Sequence, residues 1–112
     1  MHKLVIMVEE LQDEELWPEF LHVSERMPGL IKEATCHVES LIYGNIQPIL
    51  LHELYFASVS DIKMAMSSPE GRSAGELLQQ MTGGKISLLI ADHKEDEIEN
   101  IRRYQLENNH DA

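Results

Sequence analysis

Apolar residues along this chain switch repeatedly between the spacing of a strand and the spacing of a helix. Leu4, Val5, Ile6, Met7 and Val8 form a compact β-prone run, the first predicted strand. Acidic residues gather next at Asp13, Glu14 and Glu15, as in the opening turn of a helix. Leu16, Phe20, Val23 and Met27 then recur at spacings of three and four, with Trp17 and Ser24 beside them, which predicts an amphipathic helix. Pro18 leaves two starts open. Either Asp13 caps the helix and one backbone bond is lost, or the regular helix begins with Pro18 near its first position. Pro28-Gly29 stops it.

Over residues 30–43 the period becomes two. Leu30, Ala34, Cys36 and Val38 share one parity, with Lys32 the exception, and Ile31, Glu33, Thr35, His37 and Glu39 share the other. This predicts a half-buried second strand. Gly44-Asn45 marks a turn and Pro48 opens the third strand, residues 49–56. Ser58 and Asp61 have capping-box spacing, and Val59, Ile62, Ala65 and Met66 supply a helical stripe. Ser68-Pro69 interrupts that helix and restarts it, because Ser is a good cap and Pro a good first helical residue. Ala74, Leu77, Leu78 and Met81 continue the apolar face, Gly83-Gly84 ends it, and residues 86–91 read as a fourth strand. The order is therefore β-α-β-β-α-β, an α+β domain over residues 1–93. Residues 94–112 form an acidic tail, read as a short helix with a frayed end after Asn108.

Two crossover helices cover a four-stranded antiparallel sheet on one face. Parity assigns Leu30, Ala34, Cys36 and Val38, with Leu50, Leu54 and Phe56, to the helix side. Glu33, Thr35 and His37, then Leu51, Glu53 and Tyr55, fall on the opposite face. That second face is half polar. Pairing it with a copy of itself across a two-fold axis would enclose a cavity; a solvated open face is the alternative.

Composition narrows the partners. The 112 residues include 20 Asp and Glu against 9 Lys and Arg, a formal charge of -11. A field of that sign repels phosphate, which argues against nucleic acid and anionic membrane surfaces. The apolar run at residues 4–8 is too short for a membrane span or a signal-peptide core. A single cysteine, Cys36, matches a reducing compartment, so a cytoplasmic location is expected.

His37, Glu53 and Tyr55 form the leading candidate for chemistry, with Glu33, Thr35 and Leu51 as neighbouring pocket residues. Paired second and third strands would let the Glu53 carboxylate orient the His37 imidazole for proton transfer, with Tyr55 donating to a carbonyl or enol oxygen. The competing reading is a hydrogen-bonded polar patch that fills a dimer interface. His52 has the parity of Leu54 and Phe56 and is expected beneath the helices. His22 is expected at the helix surface. No histidine pair or Cys-x-x-Cys has metal-site spacing, so no metal is expected, and no cofactor is required by any motif. There is no Gly-x-Ser-x-Gly elbow, and Cys36 is expected in the core.

Several segments, in order, resemble the EthD family: Lys3-Leu4-Val5, Met27-Pro28-Gly29-Leu30, residues 53–58, Ser68-Pro69-Glu70-Gly71, and Thr82-Gly83-Gly84 followed by the strand at residues 86–90. The likeness spans about residues 3–92. It implies a ferredoxin-like subunit that dimerises through its sheets, as in the dimeric α/β-barrel superfamily. That superfamily includes monooxygenases, heme-degrading enzymes, isomerases and polyketide cyclases. The family name derives from an accessory component of bacterial ether degradation associated with an oxidative system. The resemblance thus implies a homodimer that binds or transforms a small hydrophobic or carbonyl compound, with a link to an oxidoreductase partner, and it leaves flavin or heme dependence open. A non-catalytic accessory or ligand-binding homodimer is the rival expectation. One departure matters: where many members carry a histidine in the first helix this chain has Phe20, and His22 stands where proline is usual.

Overall fold

The computed structural model describes residues 1–109. Its elements run β1 (His2–Val8), α1 (Trp17–Ser24), β2 (Lys32–His37), β3 (Leu50–Phe56), α2 (Val59–Ser67), α3 (Pro69–Thr82), β4 (Ile86–Asp92) and α4 (Ile98–Asn109). The sheet order is β2-β3-β1-β4, and every neighbouring pair is antiparallel. This is the ferredoxin-like α+β arrangement, with the second crossover split into α2 and α3. The sheet is open within one chain, with β2 and β4 at its edges. The frayed end expected after Asn108 lies, apart from Asn109, outside the described residues.

Local signals account for most boundaries. A 3-10 turn at Glu14–Leu16 leads into α1, where Pro18 stands in the first turn; Asp13 makes no side-chain cap bond. Of the two starts the sequence allowed, the chain takes the later, which sacrifices no helical hydrogen bond. Ser58 Oγ accepts the Asp61 N–H at 3.1 Å to cap α2, and Ser68 Oγ accepts the Gly71 N–H at 3.0 Å to cap α3. Gly83 ends α3 in the left-handed region at φ 61°, its N–H donating to the Gln79 carbonyl.

The core lies between the sheet and the helices. Leu4, Ile6 and Val8 of β1 and Leu50, Leu54 and Phe56 of β3 meet Phe20, Ile62, Leu78 and Met81 from the helices. Parity was right for β3 and wrong for β2. The register sets Lys32 opposite Tyr55, Ala34 opposite Glu53 and Cys36 opposite Leu51, all on the open face. Glu33, Thr35 and His37 lie opposite Leu54, His52 and Leu50, on the helix side. Cys36, expected in the core, is exposed. The reason is polar: His52 is buried beneath the helices and takes its hydrogen bonds from β2. The second strand is also shorter than its alternation suggested. Past Val38, whose N–H bonds the Ile49 carbonyl at 3.0 Å, β3 offers no further partner because it begins at Leu50.

Ser68-Pro69-Glu70-Gly71 has a steric explanation. A Cβ on Gly71 would collide with the Ala65 carbonyl oxygen and the Met66 backbone, so α3 can start against the last turn of α2 only if residue 71 lacks a side chain. Gly71→Ala is therefore expected to cost about 2–4 kcal/mol through backbone displacement, despite the better helix propensity of alanine. Urea unfolding monitored by circular dichroism measures it; an unchanged midpoint would show that the two helices separate without penalty.

Candidate functional site

Beneath the helices, polar groups converge on one imidazole. His52 is 1% exposed, a state that requires partners at both ring nitrogens. Nε2 lies 2.6 Å from Glu33 Oε2, and Nδ1 lies 2.9 Å from Thr35 Oγ1. Ser24 Oγ, from the end of α1, donates to the same Glu33 oxygen at 2.9 Å. A carboxylate can only accept, so Nε2 carries a proton; in the neutral ring Nδ1 is then the acceptor and Thr35 the donor. Trp17 and Phe20 meet the ring edge-on, with centroids 5.4 and 5.5 Å away.

On the open face, Glu53 and Tyr55 come together as expected. Tyr55 Oη donates to Glu53 Oε2 at 2.6 Å, and Lys3 Nζ lies 3.1 Å from the same oxygen. Lys3 and Lys32 flank Tyr55 on the neighbouring strands, and Lys32 Nζ sits 4.5 Å from the ring centroid. The Tyr55 hydrogen bond holds the Glu53 carboxyl below its ordinary range against a smaller opposing effect of burial, and Lys3 adds to the lowering. The same bond, burial and the nearby carboxylate push the Tyr55 phenol up to about 12. Glu53 is thus a paired carboxylate and Tyr55 a weak acid.

His37 joins neither group. It lies on the helix side of β2, with the sheet between it and Glu53, so this carboxylate cannot orient it. The proposed relay of His37, Glu53 and Tyr55 is therefore split. Of its pocket neighbours, Leu51 shares the open face with Glu53, whereas Glu33 and Thr35 belong to the His52 cluster. His37 instead lines a cleft of about 360 Å³ with Leu11, Glu14, Trp17, Ile49 and Leu50. An apolar recess of about 50 Å³ runs from the exposed Met66 and Leu88 in to Leu4, Phe20, Leu54 and Leu78, with room for little beyond a water-sized group. His22 pairs with Glu25 at the helix surface, at 3.5 Å.

The sequence placed Lys3 in the first strand and Trp17 and Ser24 on the first helix without giving any of them a part in these clusters. Lys3 becomes visible only once the register of β1 on β3 is known. Trp17 carried a usable signal, as the sole tryptophan of the chain at the head of an amphipathic helix.

No family model matches the sequence, and a search of curated proteins finds no match. Solved structures do match. An EthD (ethyl tert-butyl ether D) family protein from Bacillus halodurans C-125 superposes with a TM-score of 0.72 at 21% identity, covering 84% of this chain and 99% of that one. The chain has an EthD-like fold. A dimeric ferredoxin-like protein of unknown function from Jannaschia sp. CCS1 gives a TM-score of 0.62 at 12% identity, over 82% of this chain and 98% of its own. SnoaB, a cofactor-independent oxygenase from Streptomyces nogalater, gives 0.58 at 8% identity, over 87% and 95%. Phe20, which stands in the sequence where the resemblance expected a histidine, packs its ring against His52 of β3.

Two outcomes follow from these clusters. His52→Ala removes a buried ring and leaves Glu33 without its imidazole partner, so a loss of about 3 kcal/mol is expected in urea unfolding. Glu33→Gln should cost less, because a carboxamide oxygen still accepts from Nε2. On the open face, an unfolded tyrosine releases its proton around pH 10, whereas Tyr55 keeps it to about 12. Between those values the folded chain holds a proton the unfolded chain has lost, so stability falls as pH rises through that window. At the acid end the Glu53 contribution is present above the ordinary carboxylate range and disappears as pH falls through its lowered value. Ultraviolet titration should find one of the three tyrosines ionising near pH 12. Glu53→Gln should bring that phenol down; an unmoved curve would remove Glu53 as the cause.

Proposed function

We propose that this chain is an EthD-like homodimer that binds a small, neutral, hydrophobic compound carrying a carbonyl or hydroxyl group in the Trp17–His37 cleft. The observation that carries this reading is the convergence of one aromatic ring and one imidazole on a cleft with Leu11, Ile49 and Leu50 as its other apolar walls. Its volume of about 360 Å³ falls at the low end of the roughly 300–1,000 Å³ usual for ligand sites. The indole offers a face for a flat apolar body, and His37 can donate to a carbonyl or accept from a hydroxyl. Glu14 on the rim, in a chain of net charge -11, disfavours an anionic ligand.

Binding rather than turnover is the better reading, because the orienting carboxylate of the expected relay lies across the sheet from His37. No cofactor enters this reading. The homodimer is supported by the dimeric ferredoxin-like neighbour and by the sheet face away from the core, where His93 packs against Tyr55 and the Lys3–Glu53–Tyr55 group would set how two sheets pair. The oxygenase likeness lends support to a place near oxidative chemistry, with the chain as ligand carrier or accessory.

Trp17 is the only tryptophan, so its fluorescence reports the cleft directly. Titration with neutral aromatic alcohols and ketones, a naphthol and an acetophenone among them, should give a saturable change that the matching carboxylates do not produce. His37→Ala should weaken binding about tenfold, the loss of one hydrogen bond. A panel that leaves Trp17 unperturbed up to its solubility limit would end this reading. Size-exclusion chromatography with light scattering should report about twice the chain mass of 12.8 kDa.

A further inference from the structure

We propose that residues 39–48, the loop between β2 and β3, form an arm that docks on a second copy of this chain. This rests on the homodimer reading and adds what holds the pair together. The loop is pinned at its base, where Val38 N–H bonds the Ile49 carbonyl and Ile49 N–H bonds the Val8 carbonyl. Beyond that base its side chains find little of their own fold. Ile42 is 96% and Tyr43 94% exposed, and Leu41 and Ile46 are exposed as well. Scattered surface hydrophobes are ordinary, but a contiguous group of this kind marks a contact. Apart from Glu39 at its start, the arm carries no charge, in a chain where 26% of residues are charged.

Charge and area both point to a second copy. Each chain carries a net charge of -11, so two copies repel wherever acidic surface faces acidic surface. Approach is least opposed where acid is not in excess, and two adjoining surfaces qualify: the arm, and the open sheet face, where Lys3 and Lys32 offset Glu53. A basic partner would instead seek the acidic remainder. The sheet face offers limited apolar surface of its own, because Val5 and Tyr55 are already buried there, leaving Leu89, Cys36 and the half-buried Met7, Ala34, Leu51 and Ala91. A stable interface removes about 800 Å² per partner. One tyrosine taken from full exposure to burial contributes on the order of 150–250 Å², so the arm supplies what the sheet lacks. Ile49 and His37, at the arm's base, line the ligand cleft, which ties pairing to that site.

The test is the dimer dissociation constant, from light scattering over a dilution series, for the native chain, for Ile42→Asp with Tyr43→Asp, and for Met64→Asp. Met64 is exposed on α2 and serves as a charge control. The arm variant should bind itself on the order of 100-fold more weakly. Its circular dichroism should be unchanged, since both side chains stand in solvent, and the Met64 variant should pair normally. An arm variant that dimerises as tightly as a native dimer overturns the arm and leaves the homodimer standing. A Met64 variant weakened equally overturns the arm by showing a general charge effect. A native chain that is monomeric throughout removes the homodimer reading, and the arm with it.

Discussion

Burying His52 constrains everything built around it. An imidazole taken out of water needs a partner at each nitrogen, and an unmet one costs about 1–3 kcal/mol. β3 cannot supply these partners from its own buried face, because Leu50, Leu54 and Phe56 are apolar. The edge strand β2 supplies them, with Glu33 and Thr35 turned inward. A strand has two faces and no intermediate setting, so this choice also turns Ala34 and Cys36 outward. One buried ring thus determines the composition of the opposite face. It also separates His37 from Glu53.

The two sides of the sheet consequently do different work. The helix side holds a closed polar chain of Ser24, Glu33, His52 and Thr35, whose value lies in order: it fixes Trp17 and Phe20 against a defined ring. The open side holds Lys3, Glu53 and Tyr55 among Val5, Met7, Ala34 and Leu51. Lys3 and Glu53 retain only 17% and 16% side-chain exposure before anything covers them. A pair so placed adds little net stability, since desolvation offsets most of the Coulomb gain. Its consequence is selective: a surface laid over it in the wrong orientation would strand a charge, which favours one mode of pairing.

How legible this was depended on the strength of each local pattern. The order of elements could be read because β1 and β3 are strongly apolar and α2 and α3 are announced by the capping residues Ser58 and Ser68, whereas Pro18 left the start of α1 between two positions. The facing of β3 followed from Leu50, Leu54 and Phe56. β2 defeated the same method because Ala34, Thr35 and Cys36 are small and nearly neutral in preference, so alternation there carries little energy. A single hydrogen-bonded histidine on the adjacent strand outweighs it. The candidate site inherited that error. Glu53 and Tyr55 share one strand, two residues apart, and were placed together correctly; His37 was joined to them across a strand pair whose facing was reversed. The cleft was invisible for another reason, since its walls come from the approach to α1, from β2 and from β3, and only folding brings them together.

Trp17 stands where the two sides of this argument meet. One edge of its environment is rigid: His52 lies 5.4 Å away and Phe20 5.2 Å, both fully buried. The facing wall of the cleft is different in kind, because Ile49 belongs to the base of a loop that is uncharged beyond Glu39 and whose apolar side chains stand in solvent. A recognition site gains affinity when its walls are fixed before the ligand arrives. The first wall is fixed by a buried hydrogen-bond chain within the chain itself. The second would be fixed by covering the loop, the task proposed above for a second copy. On that proposal ligand affinity and self-association would be linked, each strengthening the other by the same factor.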